Sequence, residues 1–180
     1  IVHVSNFRPV KRAGDVVRVF HRLHEENLPV KLLLVGDGPD RVSTEHLARD
    51  LGVQDDVRFL GKQEPIEEIL SVADVFLMPS GSETFGLAAL EAMACSVPVV
   101  CSDIGGLPEL VVHDESGFLC PLGDIDAMTQ CVRRLVTDDA LQARMADAAL
   151  ERAHDFDISR IIPQYEAYYK QVREERLSTV

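Results

Sequence analysis

Residues 79–94 read Pro-Ser-Gly-Ser-Glu-Thr-Phe-Gly-Leu-Ala-Ala-Leu-Glu-Ala-Met-Ala and join two short apolar runs, residues 75–78 and 97–101. Each run is typical of a buried strand. The segment between them predicts a loop and then a helix that begins near Thr84. This loop-to-helix join therefore lies at one end of a predicted sheet.

The start of the predicted helix has the properties of a phosphate-binding site. Its first backbone N–H groups have no partner within the helix, so they attract anions. Gly86 leaves room for a ligand close to the backbone, and Ser82 or Thr84 can cap the helix or bond a ligand oxygen. These features favour a phosphorylated ligand at this end of the sheet.

Two carboxylates flank the predicted phosphate site. Glu83 stands at the helix start, and Glu91 lies about 12 Å further along the helix axis. Because carboxylates repel phosphate, their predicted role is to accept hydrogen bonds from neutral hydroxyls on either side of it. Glu83 can also simply stabilise a helix start, whereas Glu91 lies in a helix that is apolar almost all round and needs a partner there. A nucleotide sugar, with ribose hydroxyls on one side of its diphosphate and sugar hydroxyls on the other, fits this layout.

A second candidate region is the loop of residues 6–12, which carries Arg8, Lys11 and Arg12. It joins a strand predicted at residues 1–5 to a helix, and ligands of open α/β sheets bind at such carboxyl ends of strands. Arg can grip a diphosphate through two donors at once, and Lys supplies a compact charge. We predict that Arg8 and Lys11 bind a diphosphate and that Arg12 lies in a solvated turn.

The remaining pattern predicts a single α/β domain. Six strand candidates alternate with helices, which implies a doubly wound, Rossmann-like domain with a parallel sheet. The turn at residues 36–41 is similar to a dinucleotide fingerprint, but Arg41 stands where the third glycine is required, so a dehydrogenase is disfavoured. Because residues 1–5 already read as a strand and no Met precedes them, we expect a domain of a longer protein, or the ordered part of one.

Composition limits the function further. The chain has 180 residues and a net charge of −12, which argues against a nucleic-acid-binding surface. We find no apolar run of membrane-spanning length and no signal peptide, so we expect no membrane association and a cytoplasmic location. The four cysteines lack Cys-x-x-Cys spacing, which favours buried thiols over zinc ligands, and no metal site is predicted.

With these residues in view, the chain resembles the retaining glycosyltransferases of family 4, which have the two-domain GT-B fold. The spacing of Glu83 and Glu91 matches the Glu-x7-Glu motif of that family. Pro-Ser before the motif, Thr-Phe-Gly-Leu within it and Ala-Met-Ala-Cys-x-Val-Pro-Val-Val after it match as well. The resemblance covers nearly the whole chain. It implies that residues 1–180 are the donor-binding, C-terminal half of a GT-B enzyme that lacks the N-terminal acceptor domain.

The resemblance also implies a role for each candidate residue. Family members bind the donor diphosphate through an Arg and, five positions later, a Lys. Lys11 matches this Lys, but Asn6 stands at the Arg position, and Arg8 is the expected replacement. Arg8 and Lys11 would stabilise the leaving diphosphate, and Glu83 would orient the donor sugar, so that no metal and no cofactor is required. The residues expected to contact the nucleotide are Thr84, Phe85, Gly86 and Leu87 at the phosphates, Glu91 at the ribose, and Gly61 and Lys62 at the uracil.

Residues 5–12, Ser-Asn-Phe-Arg-Pro-Val-Lys-Arg, are similar to one subgroup of this family, the N-acetylglucosaminyl L-malate synthases of bacillithiol biosynthesis. This similarity implies UDP-N-acetylglucosamine as the donor and L-malate as the acceptor. Two other functions stay open at this point: a nucleotide-sugar-binding module without transfer activity, and a GT-B-like epimerase that acts on UDP-sugars.

The last predicted helix, residues 158–176, carries three tyrosines and two isoleucines. In the family, the terminal helix crosses back to the N-terminal domain, which would place these residues in a domain interface. Plain core packing is the simpler expectation for each of them.

Overall fold

The computed structural model describes residues 1–178, and it describes the side chains of residues 1–174. Its strands form one parallel sheet of six in the order β3-β2-β1-β4-β5-β6. This order and the parallel pairing confirm the predicted doubly wound α/β fold. The strands are β1 (Val2–Val4), β2 (Leu32–Val35), β3 (Val57–Gly61), β4 (Phe76–Met78), β5 (Val99–Ser102) and β6 (Gly117–Cys120).

Helices alternate with the strands and continue after the last one. A short 3-10 helix (Pro9–Lys11) lies between β1 and the first α-helix. The α-helices are α1 (Ala13–Glu25), α2 (Arg41–Asp50), α3 (Glu67–Leu70), α4 (Leu87–Ala94), α5 (Leu107–Leu110), α6 (Ile125–Thr137), α7 (Asp139–His154) and α8 (Ile158–Ser178).

The sheet is covered on both faces, which explains why its strands read as continuous apolar runs. In β2, Leu32 and Leu34 face one side and pack with apolar residues of α1, α2 and α6. Val35 faces the other side and packs in a second cluster with α3, α4 and α5. Helix α7 contributes residues to both clusters, so it passes from one face of the sheet to the other.

The cysteines were predicted to be buried thiols. All four cysteines are free; Cys101 and Cys120 are buried, as predicted, and the other two are half-buried.

In α8, Tyr165, Tyr168 and Tyr169 are each more than 60% exposed. Core packing of these tyrosines is therefore wrong: Tyr165 and Tyr168 line an open groove between α8 and the rest of the domain rather than a closed core. Their place in a domain interface stays a prediction.

Candidate functional site

The sheet order reverses between β1 and β4, and the loops that follow these two strands meet there. The strands themselves share a single Cα pair, Val2 with Phe76. Beyond the strands, the backbone N–H of Gly81 donates to the carbonyl of Val10, with an N···O distance of 2.7 Å. In doubly wound sheets a ligand lies at this kind of switch point, outside the carboxyl ends of the strands. The two loops that the sequence singled out are therefore brought together.

Glu83 is held by one residue from each loop. Lys11 Nζ forms an ion pair with Glu83 Oε1, and Ser80 Oγ donates to the same oxygen at 3.0 Å. The Glu83 side chain is 11% exposed and that of Lys11 is 22% exposed, so solvent screens the pair only in part. No described residue donates a hydrogen bond to Oε2 of Glu83, and this oxygen is available to a ligand.

The backbone of Glu83 is fixed by the glycine-rich loop that follows β5. The N–H of Gly106 donates to the carbonyl of Glu83 at 3.1 Å. A Cβ atom at Gly105 would lie 1.9 Å from that carbonyl oxygen, and one at Gly106 would lie 2.2 Å from the carbonyl oxygen of Thr84. Only glycine leaves room for these contacts, so the Gly105–Gly106 pair determines where Glu83 stands.

The helix after Glu83 begins later than the sequence predicted. Helix α4 starts at Leu87, its N-cap is Gly86 with a φ of +96°, and no side chain caps it. The predicted start near Thr84, with Ser82 or Thr84 as the cap, is therefore wrong. The physical reason is the close contact with the Gly105–Gly106 pair, which holds residues 83 and 84 as part of a loop. The free N–H groups of the helix start consequently begin at Leu87.

A cleft of about 770 Å³ lies at the carboxyl ends of β1 and β2, where Val4 and Val35 line it, and contains the second carboxylate. Glu91 of α4 lines it together with Lys62, which follows β3, and Gly36, which follows β2. Gly61 does not line the cleft itself, but its carbonyl accepts a hydrogen bond from the N–H of Gly36 at 2.7 Å. The structure therefore brings Glu91 and Lys62 into one cavity, although the nucleotide contacts of these residues stay predictions.

The carboxyl of Glu91 has no hydrogen-bond donor among the described residues. Burial raises its pKa above the ordinary value, and the charge of Glu67, which lines the same cleft, raises it further. The cleft therefore destabilises ionised Glu91 relative to the same group in water. Hydroxyl groups of a ligand would supply the hydrogen bonds that the protein does not.

Replacing Glu91 with glutamine should stabilise the chain at neutral pH. A carboxyl whose pKa is raised in the folded state favours folding when it is protonated, and this contribution is lost as the pH rises through the folded-state pKa. The free energy of unfolding of Glu91→Gln should thus exceed that of the unsubstituted chain by up to about 1 kcal/mol at pH 7, because solvent screens a half-buried group. The difference should vanish near pH 4. Urea unfolding at both pH values measures it.

Glu68→Gln is the matched control for this prediction. Glu68 lies on α3 one residue from Glu67, is exposed, and does not line the cleft. Its substitution should leave the pH dependence of unfolding as it is in the unsubstituted chain. The prediction is wrong if the free energy of unfolding of Glu91→Gln differs from that of the unsubstituted chain by the same amount at pH 4 and at pH 7.

Three of the predicted residues lie apart from the cluster of Lys11, Ser80 and Glu83. Arg8 is exposed and forms no ion pair with a described residue. Arg12 lies in the turn between the 3-10 helix and α1, and its partly exposed side chain donates through Nε to Asp15 at 2.6 Å. The ring of Phe85 packs against Phe156, with 5.5 Å between centroids, and lines an apolar groove along α8. Any contact of Phe85 with a ligand in the Glu91 cleft would therefore involve its backbone rather than its ring.

The structure also adds residues that sequence reasoning missed. Ser80, which holds Glu83, is fully buried. His3 is fully buried beneath the loop of residues 6–12 and is hydrogen-bonded through both ring nitrogens, one of them to Ser5. The available signal was a histidine between two valines in an apolar strand, since a buried polar side chain needs a partner.

Within residues 1–174, no three His, Cys, Asp or Glu side chains are grouped so that they could hold a metal ion. Of the helices in the part of the chain that the structure describes, none is long and apolar enough to cross a bilayer.

A parallel sheet whose order reverses between β1 and β4 places the chain in the class of doubly wound α/β domains. Residues 1–152 match the family model of the glycosyl transferases group 1, and the chain belongs to this family. The predicted family and the GT-B type of α/β fold are thereby confirmed.

Individual relatives agree with this family. The chain is 40% identical over 178 residues to the N-acetyl-alpha-D-glucosaminyl L-malate synthase of Bacillus anthracis, a match that covers 98% of this chain and 46% of the relative. It is 33% identical over 177 residues to the D-inositol 3-phosphate glycosyltransferase of Corynebacterium glutamicum, covering 94% of this chain and 42% of the relative. The crystal structure of Anabaena HepE in complex with UDP has a TM-score of 0.86 and 28% identity, covering 94% of this chain and 48% of that one. The chain thus spans somewhat less than half the length of these relatives.

Proposed function

We propose that this chain is the donor-binding half of a retaining glycosyltransferase that moves N-acetylglucosamine from UDP-N-acetylglucosamine to L-malate. The observation that carries the proposal is the meeting of Lys11, Ser80 and Glu83 at the switch point of the sheet, in a domain whose cleft at the carboxyl ends of β1 and β2 contains Glu91. Membership of the glycosyl transferases group 1 supports transfer. The UDP bound to a structural relative supports the nucleotide, and the name of a curated relative supports the sugar and the acceptor.

Lys11 would bind the diphosphate without leaving Glu83. A lysine ammonium has three N–H donors, and Glu83 Oε1 is the acceptor of only one of them. Arg8, which is exposed and free to move, would add a second cation, and the N–H groups at the start of α4 would add partial positive charge. These groups would stabilise the negative charge that grows on the departing diphosphate. Since protein groups supply this charge, the proposal contains no metal and no cofactor.

Glu83 would orient the donor sugar. Its Oε1 is occupied by Lys11 and Ser80, which hold the carboxylate in one orientation, and its Oε2 is free to accept a hydrogen bond from a sugar hydroxyl. A carboxylate that is held in place before the ligand arrives loses little conformational entropy on binding. The neighbouring Gly105–Gly106 pair fixes the backbone beneath it.

Glu91 and Lys62 would bind the nucleoside end. Glu91, which has no protein donor, would accept hydrogen bonds from the ribose hydroxyls, and Lys62 would lie beside the uracil, close to Gly61. The ionised form of Glu91 is the better acceptor. Binding of ribose would therefore lower the pKa of Glu91 towards its ordinary value.

We further propose that an N-terminal domain of the same polypeptide supplies the acceptor site and packs against the exposed tyrosines of α8. The 180-residue chain by itself should then bind nucleotide weakly and transfer no sugar. Retention of configuration, by attack from the face of the leaving phosphate, and a cytoplasmic location are part of the same proposal.

Calorimetric titration tests the proposal directly. We expect UDP and UDP-N-acetylglucosamine to bind both the 180-residue chain and the complete polypeptide, and NADH to bind neither. Glu91→Ala should weaken UDP about tenfold or more, because ribose hydroxyls lose a charged acceptor. Glu68→Ala, which removes an exposed carboxylate outside the cleft, should change the affinity by less than twofold.

The outcomes separate the possible functions. Binding of NADH without uridine ligands would show that the assignment of the site is wrong. Binding of UDP-N-acetylglucosamine by the complete polypeptide without release of UDP in the presence of L-malate would contradict the proposed reaction. Sugar transfer by the isolated 180-residue chain would contradict the separate acceptor domain.

A further inference from the structure

The imidazole of His3 lies fully buried in β1, next to the switch point, and the proposed reaction does not use it. Its Nδ1 is 2.8 Å from the carbonyl oxygen of Leu77 in β4. Because a carbonyl can only accept, Nδ1 carries a proton. Burial lowers the pKa of His3 to about 4, so the ring is neutral at physiological pH. A neutral ring has only one N–H, and Nε2 is therefore an acceptor. The direction of the next hydrogen bond is thereby determined.

Ser5 continues the chain of hydrogen bonds from His3 to the loop. Its Oγ is 2.9 Å from His3 Nε2 and must donate to it, since that nitrogen has no proton. The lone pairs of the same hydroxyl are then directed elsewhere, and they accept the backbone N–H of Phe7 at 3.2 Å. A buried imidazole in the sheet is thus connected, through one hydroxyl, to the backbone of the loop.

Phe7 is the point at which this loop turns. Its φ of +43° is in the left-handed region, which is disfavoured by about 1 kcal/mol or more for a residue with a Cβ atom. The ring of Phe7 is buried and packs edge-on against His3, with 6.3 Å between centroids. Its carbonyl accepts the N–H of Asp40 at 2.8 Å. The bond to Ser5 is one of the contacts that hold this disfavoured turn.

The two cations of the site, Arg8 and Lys11, follow this turn directly in the chain. Arg8 follows Phe7, and the 3-10 helix that begins at Pro9 ends with Lys11, whose ammonium reaches Glu83. A rotation of the backbone at Phe7 would move Arg8 and the whole 3-10 helix relative to β4. The direction of both cations therefore depends on the conformation of Phe7.

We propose that His3 and Ser5 are positioning residues for the donor diphosphate: neutral His3 orients the hydroxyl of Ser5, which holds the turn that aims Arg8 and Lys11. This inference rests on the proposed function, because it assumes that these cations bind the diphosphate. Neither residue touches the substrate. Their effect should therefore be confined to the phosphate end of the nucleotide.

The experiment compares UDP with uridine on the complete polypeptide. Ser5→Ala should weaken UDP about five- to tenfold, as expected for the loss of a partly buried hydrogen bond, and should change the affinity for uridine, measured by competition, by less than twofold. Ser5→Thr, which keeps the hydroxyl, should bind UDP as the unsubstituted enzyme does. In a His3→Asn background, Ser5→Ala should cause little further loss, because the two residues act through the same hydrogen bonds.

Ser116→Ala is the matched control. The Ser116 hydroxyl is buried and, like that of Ser5, accepts a backbone N–H, that of Val112 at 3.0 Å, but Ser116 immediately precedes β6 and so lies at the amino ends of the strands. Its loss should affect stability and not the ratio of UDP to uridine affinity.

Each outcome has a definite meaning. Equal loss of UDP and uridine affinity in Ser5→Ala, or no loss of UDP affinity, overturns the positioning role and leaves the proposed function standing. Failure of the unsubstituted enzyme to bind UDP overturns the proposed function, and the positioning role with it. If Ser5→Ala does not fold, the same ratio measured in His3→Asn decides the question.

Discussion

Replacing Lys11 with alanine should lower the turnover number of the complete enzyme about 100- to 1000-fold, the range seen when one preorganised donor to a developing negative charge is removed. Lys11 is poised for this role because Glu83 and the 3-10 helix hold its ammonium at the switch point before any ligand binds. The charge on the diphosphate grows as the bond to the sugar breaks. The effect should therefore be larger on the turnover number than on KM for the donor.

Lys31→Ala serves as the control for Lys11→Ala. Lys31 is also a lysine paired with a carboxylate, Asp56. It immediately precedes β2 and so lies at the amino ends of the strands, whereas Lys11 follows β1 at their carboxyl ends. Its loss should leave turnover within about twofold, as expected for an exposed ion pair. Initial rates of UDP release measure both variants. Turnover of Lys11→Ala within threefold of the unsubstituted enzyme would show that Lys11 does not stabilise the leaving group.

Replacing Gly105 with alanine should destabilise the fold by at least about 3 kcal/mol and abolish detectable UDP binding. Two effects add at this position. The φ of Gly105 is +55°, and a Cβ atom would lie 1.9 Å from the carbonyl oxygen of Glu83. Because the obstructing atom belongs to the backbone, no side-chain rotation can relieve the contact. The loop of Glu83 must move away from Lys11 and Ser80, or the glycine-rich loop must unfold.

Gly52→Ala separates these two effects. Gly52 also has a positive φ, +72°, but a Cβ atom there would meet nothing within 4 Å. Its substitution should cost about 1 to 2 kcal/mol, the penalty for the left-handed conformation alone. Urea unfolding of both variants gives the difference, which measures the contact with Glu83. Equal destabilisation of Gly52→Ala and Gly105→Ala would show that the loop of Glu83 yields easily.

The sequence predicted those features of the molecule that depend on local pattern. The six predicted strands are present, and those predicted at residues 75–78 and 97–101 appear as β4 (Phe76–Met78) and β5 (Val99–Ser102), since apolar runs of strand length between turn residues determine buried strands. Lys11 and Glu83 were both selected as site residues, and the structure pairs them. Each of them follows a strand that the sequence predicted, and ligands of open α/β sheets bind at the carboxyl ends of strands.

The features that the sequence did not predict depend on contacts between distant segments. The start of α4 was placed too early because the Gly105–Gly106 pair, which holds Glu83 in a loop, lies in another part of the chain. The hydrogen bond of His3 to Leu77 joins residues 74 positions apart. No local pattern shows which strand will lie beside a buried histidine, so its partner could not be predicted before the strand order was known.

The single Cα pair between β1 and β4 has a consequence for folding. Residues 1–61 and residues 76–120 each contribute three strands, and the strand pairing between these two halves of the sheet is limited to this narrow seam. The ion pair of Lys11 and Glu83 and the bond from Gly81 to Val10 lie across the same seam. A nucleotide bound there would hold the two halves together, and a folding intermediate with only one half formed would have no binding site. Ligand binding would therefore select the fully assembled sheet and slow its opening along the seam.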